Sequence, residues 1–228
     1  MRIMLDAGHG YTTPGKRTPD GMSEYEFNRA VAQYTKGLLE DYQHVLVYFC
    51  HEDERDVPLQ ERTDKANRLK VDGYVSIHAN AYGTGWNNAG GIETYIYKTR
   101  PKEAAELAHE IQHRMTSRTG LRDRGVKTAD FHVLRETSMT AVLVECGFMT
   151  NQKEAGLLRA DAFRRMCAEA IATAISYTYK LKKSAPSPAD QQLFKVQAGA
   201  FKDKSKAEEV AARLKKAGYE AMVLQIKH

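Results

Sequence analysis

Residues 109–113 read His-Glu-Ile-Gln-His, two histidines one helical turn apart with a glutamate beside the first. On a helix this spacing can hold zinc between the imidazoles while the glutamate serves as general base. Three fixed positions are a weak signal, and the surrounding helix weighs against it. Ala104, Leu107, Ala108, Ile111 and Met115 form one apolar stripe at about 100° per residue. Counted from Leu107, His109 lies about 200° round and His113 about 240° round, so both point away from the stripe. Arg114 and Arg118 follow, and like charge disfavours a dication. The extended motif adds a glycine and a third histidine, where this chain has Thr116 and Thr119. The stretch reads as a solvated helix face.

A second set is scattered along the chain. RIMLD (2–6) runs into Gly8-His9-Gly10, GYVSI runs into His78-Ala79-Asn80, and AVLV runs into Glu145-Cys146-Gly147. Glu24 opens the first long helix, with Ser23 as its N-cap. Two histidines and a carboxylate with one open position are the usual ligands of a catalytic zinc, which lowers the pKa of a water to about 7. A further carboxylate that does not bind metal can move that water's proton to a leaving amine. Taken singly, each residue has a plain structural reading: a hydrogen-bonded loop histidine, a first-turn acid, a buried ion-pair partner. Their position at strand ends is what favours a site. Cys146 adjoins Glu145, but neighbouring strand residues face opposite ways, so its expected place is in the packing beneath the sheet.

The elements that must position these groups alternate. Short apolar runs at 2–6, 44–49, 73–78, 91–98 and 141–145 read as strands. Helical spacing occupies 23–40, 58–70, 101–118 and 161–180. Near-continuous apolar strands between helices imply an α/β fold with a twisted, mainly parallel sheet flanked by helices on both faces. In such folds ligands bind outside the carboxyl ends of the strands. SAPSPAD (184–190) lies in a linker expected over 181–192, between a large domain at 1–180 and a tail at 193–228.

Composition narrows the function. The 228 residues carry a formal charge of +5, which suits a polyanionic partner such as nucleic acid, anionic lipid or an acidic wall polymer. No long basic run with interleaved aromatics and no zinc-finger spacing occurs, which argues against nucleic acid. Cys50, Cys146 and Cys167 are odd in number and widely spaced, against a disulfide framework. No stretch approaches the roughly 20 apolar residues of a membrane span. The start has no apolar signal core, so synthesis in the cytoplasm and later release to the site of action are expected.

LDAGHG (5–10), GMSEYEFN (21–28), LQERTDKAN (59–67), SIHAN (76–80), GGIETY (90–95) and VECGFMTN (144–151) stand in order along the chain. Together they resemble the zinc-dependent N-acetylmuramoyl-L-alanine amidases of the Amidase_3 family. The resemblance covers essentially all of 1–180. It implies His9, Glu24 and His78 as ligands of one Zn2+ and Glu145 as the catalytic carboxylate. The implied reaction is hydrolysis of the amide between N-acetylmuramic acid and L-alanine in peptidoglycan, in an endolysin or a mother-cell autolysin. Arg62 matches a family arginine and reads as a brace. Asn80 would position the loop after His78.

The tail, 193–225, resembles the first half of a SPOR domain, a β-α-β unit. A lone unit below about 40 residues is too small to bury a core. Two copies are therefore expected to associate through residues 193–228, with docking on the large domain or binding to the wall as alternatives. Two other functions compete with the amidase: a zincin-type metalloprotease through His109 and His113, and a catalytically dead wall-binding protein. The complete His9, Glu24, His78 and Glu145 set argues against the dead version.

Overall fold

The computed structural model describes residues 1–13, 15–184, 198–219 and 221–223. Contacts divide the chain into two compact units, Met1–Ser184 and Ala185–His228. The first is built on six strands: β1 (Arg2–Ala7), β2 (Leu46–Phe49), β3 (Gly73–Asn80), β4 (Ile92–Tyr97), β5 (Asp123–Ala129) and β6 (Thr140–Phe148). Their order across the sheet is β2-β1-β3-β6-β4-β5. The first four are mutually parallel, β4 is antiparallel to β6, and β5 is parallel to β4. The sheet is thus mainly parallel, as expected, with a reversed pair at one edge. The carboxyl ends of β1, β3 and β6 lie side by side, which puts all three strand-end motifs at one margin.

The side-chain period of two sorts the strands between two layers. Ile3, Leu5, Val75, Ile77, Val142, Val144 and Cys146 belong to the larger core, together with residues of α1 (Glu24–Glu40), α3 (Lys102–Thr119) and α6 (Asp161–Thr178). Met4, Tyr74, Ala141 and Leu143 point the other way, where Ala66 of α2 (Leu59–Leu69) and Val133 and Leu134 of α4 (His132–Arg135) cover them. These two short helices cover less of the sheet than the three long ones opposite. On this same face, towards the carboxyl ends, stand Asp6, Ser76, His78, Glu145 and Glu93. The apolar face secures the strands, and the thinly covered face carries most of the candidate residues.

Three elements were not foreseen, the one-turn helix α4 among them. β5 reads DRGVKTA, with Val126 its lone large apolar residue, so neither alternation nor an apolar run announces it. α5 (Gln152–Arg159) is short but properly capped, Asn151 accepting from the Lys153 and Glu154 amides. Ser23 holds the N-cap position of α1 as expected, without a capping side-chain hydrogen bond. The linker expected from 181 begins later. The amide of Gln43 donates to Lys182 O and that of Ser184 to Asp41 O, tying 181–184 to the first unit. In the second unit α7 (Lys204–Lys216) is capped by Asp203. The first expected tail strand lies largely outside the described residues, as does much of the second; residues 198–200 and 221–223 are not strand.

Candidate metal and proton-transfer site

His9 follows β1 in a turn that holds it at φ 68°, in the left-handed region costly for a residue with a Cβ. Arg62 secures that turn. Its Nη2 donates to His9 O at 2.5 Å, Nη1 to Ala7 O at 2.7 Å and to Asp6 Oδ1 at 2.5 Å, and Nε to Val57 O at 2.8 Å. The brace expected at this position is therefore what the buried guanidinium provides. Gly8 is required by close approach, since a Cβ there would stand 2.0 Å from His78 Cε1. Without one, the His9 and His78 rings meet edge to face at 5.3 Å between centroids.

Glu24 reaches the same point from the first turn of α1, where the helix dipole favours its charge. Its Oε2 accepts from the Lys16 amide at 3.0 Å and lies 3.2 Å from His9 Nε2. Its Oε1 accepts from the Ala79 amide at 3.2 Å and lies 2.8 Å from His78 Nδ1. Burial alone would push this carboxyl up. Contacts with both histidines outweigh it and hold Glu24 well below the usual carboxylate range. One ligand-type atom from each of His9, Glu24 and His78 lies within 4.8 Å of the others.

The hydrogen bonding around His78 tests this group as a cation site. The Ser76 hydroxyl donates to Asp6 Oδ2 at 2.6 Å. Ser76 Oγ is then the acceptor for His78 Nε2–H at 3.1 Å. Nδ1 therefore faces the Glu24 carboxylate, and either a proton or a metal cation between them satisfies both groups. Two imidazole nitrogens and a carboxylate oxygen are the donors zinc prefers. The residues fit a metal, and the Asp6–Ser76 pair behind His78 is the kind of support that orients a ligand ring.

Glu145 stands on β6, directly opposite His78 on one side and Glu93 on the other. Its Oε2 is buried without a hydrogen-bond partner. Burial, partly offset by His78, pushes its carboxyl up to about 8. That lies close to neutral pH, where a proton-transfer group works best. Cys146 faces the opposite way, in the larger core, where burial pushes its thiol up and leaves it unsuited to nucleophilic attack.

Sequence reasoning left out the neighbours of this set. Asp6 lies in LDAGHG and Ser76 in SIHAN, where neither residue type announces a role. Glu93 on β4 is buried and accepts from Asn80 Nδ2 and Tyr95 OH, each at 2.7 Å, from Arg124 Nε at 2.7 Å, and from Lys127 Nζ. Asn80, expected to position the loop after His78, also accepts from the Ala81 amide. Two of these cations ride on β5, the strand without a sequence signature. Alternation in GIETYIY would have paired Glu93 with Tyr95 on one face, and that was the only available hint.

HEIQH lies apart from this cluster. His109 and His113 are exposed, and Glu110 pairs with Arg114. Gln112, an unspecified position of the motif, is the buried polar residue there. It donates to Ile92 O and to Asp123 Oδ1, and accepts from Thr94 Oγ1. Among the described residues only His9, Glu24 and His78 form a metal-type group.

A family model described as N-acetylmuramoyl-L-alanine amidase, Amidase_3, matches residues 3–177. The chain belongs to the Amidase_3 family. The amidase is 34% identical to N-acetylmuramoyl-L-alanine amidase CwlM of Bacillus licheniformis over 225 residues, 98% of this chain and 85% of that protein. It is 32% identical to the sporulation-specific N-acetylmuramoyl-L-alanine amidase of Bacillus subtilis (strain 168), over 98% of this chain and 84% of that one. Among solved structures, the catalytic domain of CwlV from Bacillus (Paenibacillus) polymyxa var. colistinus superimposes with a TM-score of 0.74. That likeness has 32% identity and covers 79% of this chain and 99% of the other. A SPOR domain model matches residues 164–227 and shares 164–177 with the amidase match. In that shared stretch Cys167, Ala168, Ile171, Ala174 and Ile175 are buried in the amidase core. No helix among the described residues is long and apolar enough to cross a membrane.

Proposed function

We propose that this amidase hydrolyses the amide between N-acetylmuramic acid and L-alanine in peptidoglycan, with one zinc held by His9, Glu24 and His78. The observation that carries this reading is the meeting of those three ligand-type atoms within 4.8 Å, beside Glu145. A zinc bound there supplies Lewis-acid chemistry at the scissile carbonyl and makes water acidic near neutral pH. Glu145 does the proton work. Its carboxylate takes a proton from the attacking water and returns it to the leaving nitrogen, so that the C–N bond breaks to a free L-alanine amine and a muramic carboxylate. Arg62 holds the His9 turn, and the Asp6–Ser76 pair holds the His78 ring, so both imidazoles are aimed before substrate arrives. Action on the cell wall follows from the substrate.

Incubation with purified peptidoglycan tests the reading. New amino-terminal L-alanine should appear, stop with a chelator and return with added zinc. Turbidity loss without new L-alanine amines would reject it. For the tail we propose pairing between two copies, because no residue of α7 is buried. Sedimentation of the full chain against a 1–184 truncation should show a dimer that the truncation loses; two monomers would exclude it.

A further inference from the structure

The polar row on the thinly covered face continues past the catalytic carboxylate. His78 on β3 opposes Glu145 on β6, and Glu145 opposes Glu93 on β4. β5 comes next and carries Arg124 and Lys127, both on the Glu93 carboxylate. One buried carboxylate thus meets two cations at a partly open margin. Arg124 is largely committed: its Nε is on Glu93, its Nη1 donates to Gly90 O at 3.3 Å, and its guanidinium lies 4.8 Å from the Phe148 ring centroid. Lys127 is freer. Its side chain is 37% exposed, its Nζ lies 6.0 Å from the Tyr95 ring centroid, and its contact to Glu93 leaves donors to spare.

The proposed reaction gives this row a direction. Glu145 delivers its proton to the leaving nitrogen, so the leaving peptide starts beside Glu145, and a path over β4 and β5 brings it to these cations. Two strand spacings separate Glu145 from β5, about 10 Å at roughly 4.8 Å each. An extended peptide covers that distance in about three residues at roughly 3.5 Å each.

We propose that Lys127, supported by Arg124, forms a subsite for a carboxylate carried by the second or third residue of the leaving peptide. The amidase therefore selects acidic stems over amidated ones. This rests on the amidase reading above.

Two synthetic muramoyl tripeptides test it, one with free side and terminal carboxylates, the other with the same groups as carboxamides. The wild type should show a KM about tenfold lower for the acid, the size of one charge-assisted hydrogen bond. Lys127→Met should raise KM for the acid about tenfold, leave the amide unchanged and leave kcat unchanged for both. Equal KM values in the wild type, or equal shifts for both peptides in the variant, would overturn the subsite. Calorimetric binding of both peptides separates the two claims. If neither peptide is cleaved, the amidase reading fails; an acid preference in binding still upholds the subsite, and its absence overturns it.

Discussion

HEIQH and the His9–Glu24–His78 group contain the same residue types, yet one is contiguous and the other spans 69 positions. The contiguous histidines lie on the outer side of α3, whose inner side is taken by Leu107, Ala108, Ile111 and Met115. Among the described residues nothing supports their rings, and no third ligand approaches. In the scattered group each ligand is secured from behind: His9 by Arg62 on its carbonyl, His78 by Ser76, Glu24 by backbone amides. A metal site is defined by what stops its ligands from moving. Spacing along one helix supplies proximity alone, whereas rigid strand ends supply orientation.

The largest expected effect of a single substitution outside the metal ligands lies at Glu145. Glu145→Gln should retain zinc and lose activity by about 10²–10⁴-fold, the usual contribution of a positioned proton-transfer group. Retention of more than about a tenth of wild-type turnover would remove Glu145 from that role. Asp6→Asn probes the support beneath both histidines. Burial pushes the Asp6 carboxyl up, but Arg62 and Ser76 prevail and hold it well below its ordinary value of 3.8. A carboxyl depressed in the folded state adds stability above its unfolded pKa, and that stability is lost as pH falls through the folded value. Breaking a buried pair costs about 3–5 kcal/mol. The deficit of Asp6→Asn in denaturant unfolding should thus be full at neutral pH and narrow below about pH 4. A deficit independent of pH would break the assignment. Ser76→Ala removes the acceptor behind His78 and should weaken zinc binding about 10–100-fold in chelator competition, with the fold intact. Unchanged affinity would mean that Glu24 and packing alone orient the ring.

The two regions also differ in how far the sequence reveals them. Helices, buried strands and the four candidate residues were legible because each sits in a periodic element or at its end. The apolar runs of β1, β3 and β6 announced parallel strands, and parallel strands bring their carboxyl ends together. What stayed hidden was lateral order. The strand order places Glu93 next to Glu145, and no local pattern encodes a neighbour 52 positions away. β5 lacked a signature because an edge strand with its side chains half-exposed needs few apolar residues. The roles of Asp6 and Ser76 became visible only through their hydrogen bonds to Arg62 and His78, since either residue could equally have been a buried polar pair with no neighbour of consequence. The strained φ of His9 likewise left no trace beyond the glycines on either side.

The most direct measurement is zinc content after dialysis of two double variants, His9→Ala/His78→Ala and His109→Ala/His113→Ala, each beside the wild type. The first pair should lose the metal and all hydrolysis. The second should keep one zinc per chain, full activity and stability within about 0.5 kcal/mol, as exposed helix positions allow. Stoichiometric zinc in the first pair, or its loss from the second, would contradict the assignment of the metal to the strand ends.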